Sequence, residues 1–288
     1  MSMNLKIFGD CTPIDWATLN VRMPFAPMHE LAKKYELMTE RTNQDFFAYA
    51  YDDMYLTSIK SDILRTFEIS EISDLQAKQL WRRISRRSRN TSLALQLATP
   101  DTICINLGGG MHHSGKYPYT GYAYSLINDI IWAVDYQLEQ GKTIGIIDLD
   151  FHFGGGTWDE YRYNHWDTVN IYDVHHPQGI LQKHGDITGR LSRSYFTTET
   201  LSTPRIFPMC IPTNVDKIIL NIGTDWYQDD VLFGQYGKML AAELIEVWWD
   251  TVRQITVRKI PLAITCGGGY GPGGLNLYAE FISGLQLL

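Results

Sequence analysis

The chain has 288 residues, of which 44% are hydrophobic and 20% are charged, and its net charge is −7 at pH 7. This composition is ordinary for a globular protein, and the negative charge argues against nucleic-acid binding as the main activity. We expect no membrane span and no signal peptide, because no run of about 18 apolar residues occurs and the N-terminus has no apolar core of sufficient length.

The four cysteines do not form a Cys-x-x-Cys pair. Cys104 and Cys266 lie within or at the end of apolar segments, which indicates buried free thiols rather than disulfides. Free thiols fit a reducing compartment, so a cytoplasmic location is expected.

The first hundred residues predict one short strand, at 5–9, and three helices, at 27–41, 52–65 and 74–98. The third helix carries four arginines: Arg82, Arg83, Arg86 and Arg87. We interpret them as a solvated basic face rather than as an anion site.

Four apolar segments in the remaining chain are predicted to be strands: 102–107 (TICINL), 143–149, 217–222 (KIILNI) and 261–265 (PLAIT). They are rich in β-branched residues and barely alternate with polar ones, as is typical of strands buried on both faces. Helical patterns cover 122–139, 235–257 and 275–287, and Gly141 follows the first as a C-cap. Strands that alternate with helices predict a single α/β domain over residues 1–288, with a mainly parallel β-sheet flanked by helices.

Polar side chains follow each of these four strands. Asp148, Asp150 and His152 end the second at two-residue spacing, which places them on one face of an extended strand before three glycines. The other three strands are followed by a histidine pair (His112 and His113), by Asp225 and by Tyr270. Alone, a histidine pair is usually polar surface and an aspartate after a strand is often a helix cap. Together they predict a site, because open parallel sheets bind ligands at the carboxyl ends of their strands.

The chemistry of a hydrolase fits these residues. Asp150, His152 and Asp225, here called the ligand triad, could bind Zn²⁺ or a similar ion and leave a coordination position open, which is the catalytic pattern. Water in that position would have a pKa lowered to about 7. The histidine pair could supply the general base and acid, and the Tyr270 hydroxyl could donate to a developing oxyanion. The sequence therefore predicts hydrolysis of an amide-like carbonyl.

The motifs GGGMHHSGK, IIDLDFHFGGG, NIGTDWYQDD and CGGGY, in this order, resemble the zinc-dependent histone deacetylase family, which has the arginase/deacetylase fold. The segments PFAPMHELAKKYELM and NIYDVHHP are most similar to its class IV branch, and bacterial deacetylase-like proteins belong to the same family. The resemblance implies that the ligand triad binds Zn²⁺ or Fe²⁺. It also implies that His113 is the main general base and acid, that His112 assists while hydrogen-bonded to Asp148, and that Tyr270 polarises the scissile carbonyl.

The resemblance further implies a substrate tunnel and a second cation. The tunnel for the acyl-lysine would be lined by Gly121, Tyr122, His176, Leu232, Gly268 and Gly269. A structural K⁺ would be surrounded by Asp148 and Asp150 and by the carbonyls of His152, Asn170 and Ile171.

The chain departs from the family at Gly155, where an aspartate or asparagine usually orients the second active-site histidine. A lost orienting partner of this kind costs about 10- to 100-fold in activity or metal affinity. Phe153 replaces a histidine that follows the ligand histidine, and the stretch from His176 to Lys217 is shorter than in most relatives, which predicts a remodelled pocket rim.

The leading hypothesis is a metal-dependent deacylase that acts on an acylated lysine in a protein or peptide. An acetylpolyamine hydrolase ranks lower. Selectivity for a cationic amine is expected to need an acidic residue near the pocket mouth, and the matching position is occupied by the apolar Leu232. An arginase-type ureohydrolase would need further carboxylates where Gly155 and Gly156 stand. A non-catalytic metal-binding module is supported only by Gly155. The sequence leaves the native substrate and the oligomeric state open.

Overall fold

The fold is built on an eight-stranded sheet, described by a computed structural model at residues 3–9, 28, 31–38, 53–163, 166, 168–180, 190–193, 196–202, 204, 210–269 and 271–286. The strands are β1 (Asn4–Phe8), β2 (Thr102–Leu107), β3 (Ile144–Leu149), β4 (Val169–His175), β5 (Arg190–Arg193), β6 (Phe196–Thr200), β7 (Lys217–Ile222) and β8 (Leu262–Cys266). Their order is β1-β2-β8-β7-β3-β4-β6-β5, and only the β5–β6 pair is antiparallel. The predicted mainly parallel sheet is confirmed.

Helices flank this sheet. In the described part of the chain they are α1 (Asp53–Thr66), α2 (Asp74–Leu97), α3 (Asp129–Glu139), α4 (Gly155–Tyr163), α5 (Gly234–Gly237), α6 (Ala241–Thr256) and α7 (Pro272–Leu285). The long helix α2 starts where its sequence predicts, because Ser73 and Gln76 form a capping box of reciprocal hydrogen bonds. Among these helices, none is both long and apolar enough to cross a bilayer.

Alternate residues of β3 pack into cores on opposite faces of the sheet. Ile147 belongs to the cluster that contains Trp248 of α6 and Phe281 of α7, whereas Ile146 belongs to the cluster that contains Ile130 of α3. Each such fully buried aliphatic side chain contributes about 1.5–3 kcal/mol relative to an exposed one. Burial on both faces explains why the strand sequences barely alternate.

The predicted helix 122–139 is too long at its start. Tyr122 and Ser125 exchange backbone hydrogen bonds of 2.9 Å, and Ala123 and Tyr124 have φ values of 47° and 63°, which a right-handed helix excludes. The helix begins only after Asn128, whose side chain accepts a hydrogen bond from the backbone N–H of Ile131.

Other expectations need correction. The predicted helix 235–257 is divided at Lys238, which has a φ of 55° and separates α5 from α6. The predicted helix 27–41 is helical at residues 28, 31 and 32, but residues 33–38 are not helical. The solvated basic face is wrong for two of the four arginines, because Arg83 and Arg87 are only 2% and 4% exposed.

Candidate functional site

The order of the strands brings the predicted site residues to one edge of the sheet. β3 and β7 are neighbours, and their last paired residues are Leu149 and Ile222, so the loops that follow them start side by side. The indole N–H of Trp226 donates to the carbonyl of Leu149 at 3.0 Å, and the backbone N–H of Thr224 donates to the carbonyl of Gly268 at 3.2 Å. These bonds hold the loops after β3, β7 and β8 together.

The ligand triad meets in this place. One ligand atom from each of Asp150, His152 and Asp225 lies within 4.8 Å of the others, and all three residues are buried. Nδ1 of His152 lies 3.1 Å from Oδ1 of Asp150 and 3.1 Å from Oδ2 of Asp225. The strand itself ends at Leu149, so Asp150 and His152 converge from a bend rather than from the extended face that the sequence predicts.

The triad fits a divalent cation. Asp225 is completely buried, and apart from Nδ1 of His152, which lies 3.1 Å from its Oδ2, no group in the described part of the chain donates to its carboxylate. A buried carboxylate with so few donors is costly unless a cation compensates it. A Cβ at Gly268 would lie 2.2 Å from Oδ2 of Asp150 and 2.3 Å from Oδ1 of Asp225, so the glycine leaves space beside both carboxylates. Two carboxylates and an imidazole are a suitable donor set for zinc and for several similar ions.

Electrostatics within the triad also favour a cation. Burial, and next the charge of Asp150, raise the pKa of Asp225 to about 7. Burial lowers the pKa of His152, but the hydrogen bonds and charges of Asp150 and Asp225 outweigh this effect and raise it to about 9. The triad therefore retains protons at neutral pH that a bound cation would replace.

Metal-free protein is expected to become less stable as the pH rises from about 6 to about 9. Because the pKa of His152 rises from 6.5 to about 9 on folding, its stabilising contribution is complete below pH 6.5 and is lost as the pH passes 9. Asp225 acts in the same direction between its ordinary pKa of 3.8 and about 7, since its ionisation disfavours the folded state. Urea unfolding of chelated protein at both pH values tests this, and equal free energies of unfolding would contradict it.

The histidine pair lies beside the triad. Nδ1 of His112 is 2.7 Å from Oδ2 of Asp148, and the ring of His113 lies 4.3 Å from that of His112 and 5.3 Å from that of His152. Burial lowers the pKa of His112, but the charges of Asp148 and Asp150 outweigh it and raise this pKa to about 10. In the metal-free protein these charges therefore favour the protonated form of His112 at neutral pH.

Two further residues hold Asp148, and the sequence analysis missed both. The side-chain amide of Asn221 donates to Oδ1 of Asp148 at 3.0 Å, and the hydroxyl of Thr265 donates to the amide oxygen of Asn221 at 3.0 Å. Both residues are completely buried polar members of otherwise largely apolar strands. A polar residue within an apolar strand is the signal that would have identified them.

A cavity of about 30 Å³ adjoins the triad and the histidine pair. It is lined by Gly110, Met111, His112, His113, Ala123, Tyr124, Ser125, Asp150, His152, Asp225, Gly267 and Gly268. Of the six predicted tunnel residues, only Gly268 lines this cavity, and Ala123, Tyr124 and Ser125, which follow Tyr122 directly, also line it. A Cβ at Gly121 would lie 2.2 Å from the hydroxyl oxygen of Thr66, so this glycine is in close contact with α1 instead.

Of the other predicted tunnel residues, His176 packs on an aromatic group beside His152. The ring of His176 stacks on Phe151 with a centroid distance of 4.7 Å, and the ring of Phe233 lies 4.4 Å from that of His152. Leu232 is partly buried next to Phe233, and Gly269 has a φ of 121°, a conformation that favours glycine. Tyr270, the predicted oxyanion donor, lies outside the described residues.

The β3–β4 register offsets the predicted K⁺ ligands along the sheet. The β3–β4 register pairs Asn170 with Gly145 and Ile171 with Ile146, whereas the partner of Asp148 is Asp173. Two residues along a strand correspond to about 7 Å, so the carbonyl of Ile171 is displaced from Asp148 by roughly that distance. The sequence analysis did not predict β4, so the register of Asn170 and Ile171 relative to β3 was left undefined.

Comparison with known proteins gives a consistent family assignment. The family model described as "Histone deacetylase domain" matches residues 30–282. Histone deacetylase 6 of Arabidopsis thaliana is 26% identical over 183 residues, which cover 58% of this chain and 37% of that protein. The match therefore spans little more than a third of the length of this relative.

Solved structures support the fold. The crystal structure of a histone deacetylase homologue from Aquifex aeolicus superposes with a TM-score of 0.64 at 16% identity, covering 98% of this chain and 84% of that one. A histone deacetylase homologue complexed with SAHA gives a TM-score of 0.65 at 17% identity, with the same coverage of both chains.

Proposed function

Because the chain belongs to the histone deacetylase family, we propose that it hydrolyses N-acyl amines with a bound divalent cation, most simply N-acetyl-lysine in a peptide or protein. The observation that carries this proposal is the buried ligand triad, which shares one small cavity with the histidine pair. Residues 1–288 would form a single catalytic domain. The free thiols of Cys104, Cys210 and Cys266 fit a reducing cytoplasm.

The triad would hold Zn²⁺ or Fe²⁺, which polarises a carbonyl and lowers the pKa of a water molecule. Within this arrangement the two histidines have different tasks. Nδ1 of His112 lies 2.7 Å from Oδ2 of Asp148, so its Nδ1–H would donate to that carboxylate. As the family resemblance implies, the proton taken from water and returned to the leaving amine would pass through the imidazole of His113. His112 would assist electrostatically.

The hydroxyl of Tyr270 would donate to the carbonyl oxygen as negative charge develops there. Its glycine neighbours on both sides, Gly269 and Gly271, have φ values of 121° and 119°, so this loop depends on backbone conformations that other residues rarely adopt. The loop begins directly after β8 and includes Gly268 beside the triad.

The substrate that fits best is an acylated lysine. Leu232 offers no negative charge to a polyamine. The partly buried rings of His176 and Phe233, which pack on the buried ring of Phe151, form an aromatic surface beside His152 that suits an aliphatic lysine stem. The structural homologue complexed with SAHA and the curated histone deacetylases support the same substrate class.

Metal-reconstituted protein is expected to deacylate an acetyl-lysine peptide with a higher kcat/KM than acetylspermidine. The assay should be run with Zn²⁺ and with Fe²⁺, and SAHA should inhibit it. The variant Asp150→Ala should be inactive, because it removes one of the two carboxylate ligands. A higher kcat/KM for acetylspermidine would instead indicate an acetylated polyamine as the substrate. Cation binding without turnover of any acyl amine would instead favour a non-catalytic metal-binding module, for which the absence of a side chain at Gly155 is the argument.

A further inference from the structure

The loop that carries the histidine pair is fixed on its N-terminal side by Asp129, the first residue of α3. The backbone N–H of Gly110 donates to both carboxylate oxygens at 2.9 and 3.1 Å, and that of Met111 donates to Oδ1 at 2.7 Å. The hydroxyl of Thr91 donates to Oδ2 from the opposite side. Asp129 is 1% exposed, and hydrogen bonds to a buried carboxylate are among the stronger ones in proteins.

The same loop is fixed on its C-terminal side by Asn128. The side-chain amide of Asn128 donates to the carbonyl of Ser114 at 3.1 Å and to the hydroxyl of Thr157 at 3.0 Å. Its backbone N–H donates to the carbonyl of Gly115 at 3.0 Å. Both amide hydrogens of this side chain are used, and its oxygen caps α3, so its orientation is determined by its contacts.

We propose that Asn128 and Asp129 are positioning residues that orient the histidine pair by holding the backbone on either side of it. His112 and His113 lie between Met111 and Ser114, both of which are bound to this pair of residues. Fixing the backbone at both ends leaves mainly the side-chain torsions of the imidazoles free, and the contact between their rings restricts these further. We call Asn128 and Asp129 the clamp. By holding the backbone of the loop, the clamp would orient the histidines, which Gly155 cannot do because it has no side chain.

The clamp is separate from the ligand triad. The triad is held by the ends of β3 and β7, whereas the clamp begins α3 and binds the loop after β2. None of the hydrogen bonds described for Asn128 or Asp129 reaches Asp150, His152 or Asp225. Loss of the clamp should therefore change proton transfer without changing cation affinity. This inference rests on the proposed function, since the orientation of the histidines matters for catalysis only if they transfer protons.

Two variants test the clamp with little damage to α3. Asn128→Asp keeps a good helix cap but loses the donors to Ser114 and Thr157. Asp129→Asn keeps the shape of the side chain but loses its charge and one acceptor oxygen. Each is expected to lower kcat by about 10- to 100-fold, the usual cost of losing an orienting partner, with KM and the Kd for Zn²⁺ within about two-fold of the wild type. Asp216→Asn is the control, because Asp216 binds the backbone N–H of Thr143 at the opposite end of β3.

Amide hydrogen exchange supplies a readout that does not depend on activity. Peptides that cover 108–115 should exchange faster in both clamp variants, whereas peptides that cover 146–152 should exchange as in the wild type. Unchanged exchange at 108–115 would overturn the proposal, and so would a parallel loss of zinc affinity, which would indicate general damage. Wild-type protein without turnover would contradict the proposed function, yet the exchange experiment would still decide whether the clamp holds the loop.

Discussion

Replacing Asp225 by asparagine is expected to abolish Zn²⁺ binding at micromolar metal and to lower kcat/KM by about 10³-fold or more, equivalent to about 4 kcal/mol. The variant removes the charge of one of two carboxylate ligands and leaves only Asp150 and His152 as charged or strongly basic donors. The amide has nearly the same shape, so the loop after β7 should keep its conformation. Isothermal titration with Zn²⁺ and a steady-state deacylation assay measure the two effects.

The same substitution is expected to stabilise the metal-free protein at pH 8. The ionised carboxylates of Asp150 and Asp225 repel each other there, and burial already raises the pKa of Asp225 to about 7. A neutral amide removes the repulsion, so Tm should rise without metal, whereas the increase in Tm that Zn²⁺ causes in the wild type should disappear. Asp229→Asn, at an exposed aspartate in the same loop, is the matched control and should change neither quantity. Zinc binding that survives in Asp225→Asn would contradict the assignment.

Replacing His113 by alanine is expected to lower kcat by about 10²- to 10⁴-fold, the usual contribution of a general base and acid. Cation affinity should stay within a few-fold of the wild type, because the His113 ring lies beside the triad and not within it. The comparison of zinc titration with turnover separates the two roles. His112→Ala removes a fixed charge rather than the proton carrier.

Two results would contradict these roles of His112 and His113. Turnover of His113→Ala within tenfold of the wild type would show that another group carries the proton. Loss of zinc affinity in this variant would instead show that His113 is a ligand. A general base must be deprotonated, so its titration produces the acidic limb of the pH–rate profile. If His112→Ala lost this limb while His113→Ala kept it, the two assignments would have to be exchanged.

The sequence was sufficient to predict the parts of the fold that are set by local pattern. Strands β2 and β7 lie at their predicted residues because a compact apolar run with turn residues on both sides leaves little freedom. Parallel strands were implied by the alternation with helices, and their carboxyl ends had to share one edge of the sheet. The convergence of Asp150, His152 and Asp225 follows from that geometry together with the adjacency of β3 and β7.

The sequence could not provide the register of β4 or the start of α3. β4 contains Asn170, Asp173 and His175 among its apolar residues, so it was not predicted as a buried strand, and its register relative to β3 was left open. The apolar residues before Asp129 continue the helical period of the sequence. The helix nevertheless starts only after the Asn128 cap, because Ala123 and Tyr124 have left-handed backbone conformations. The clamp was missed for the same reason, since Asn128 and Asp129 were placed inside a helix.

The most direct test of the central claim is anomalous X-ray scattering at the zinc edge from crystals of the Zn²⁺-reconstituted protein. We predict one strong peak per chain, about 2.0–2.2 Å from a carboxylate oxygen of Asp150, a carboxylate oxygen of Asp225 and an imidazole nitrogen of His152. A peak that lies elsewhere, or a site that lacks any one of these three side chains as a ligand, would contradict the account.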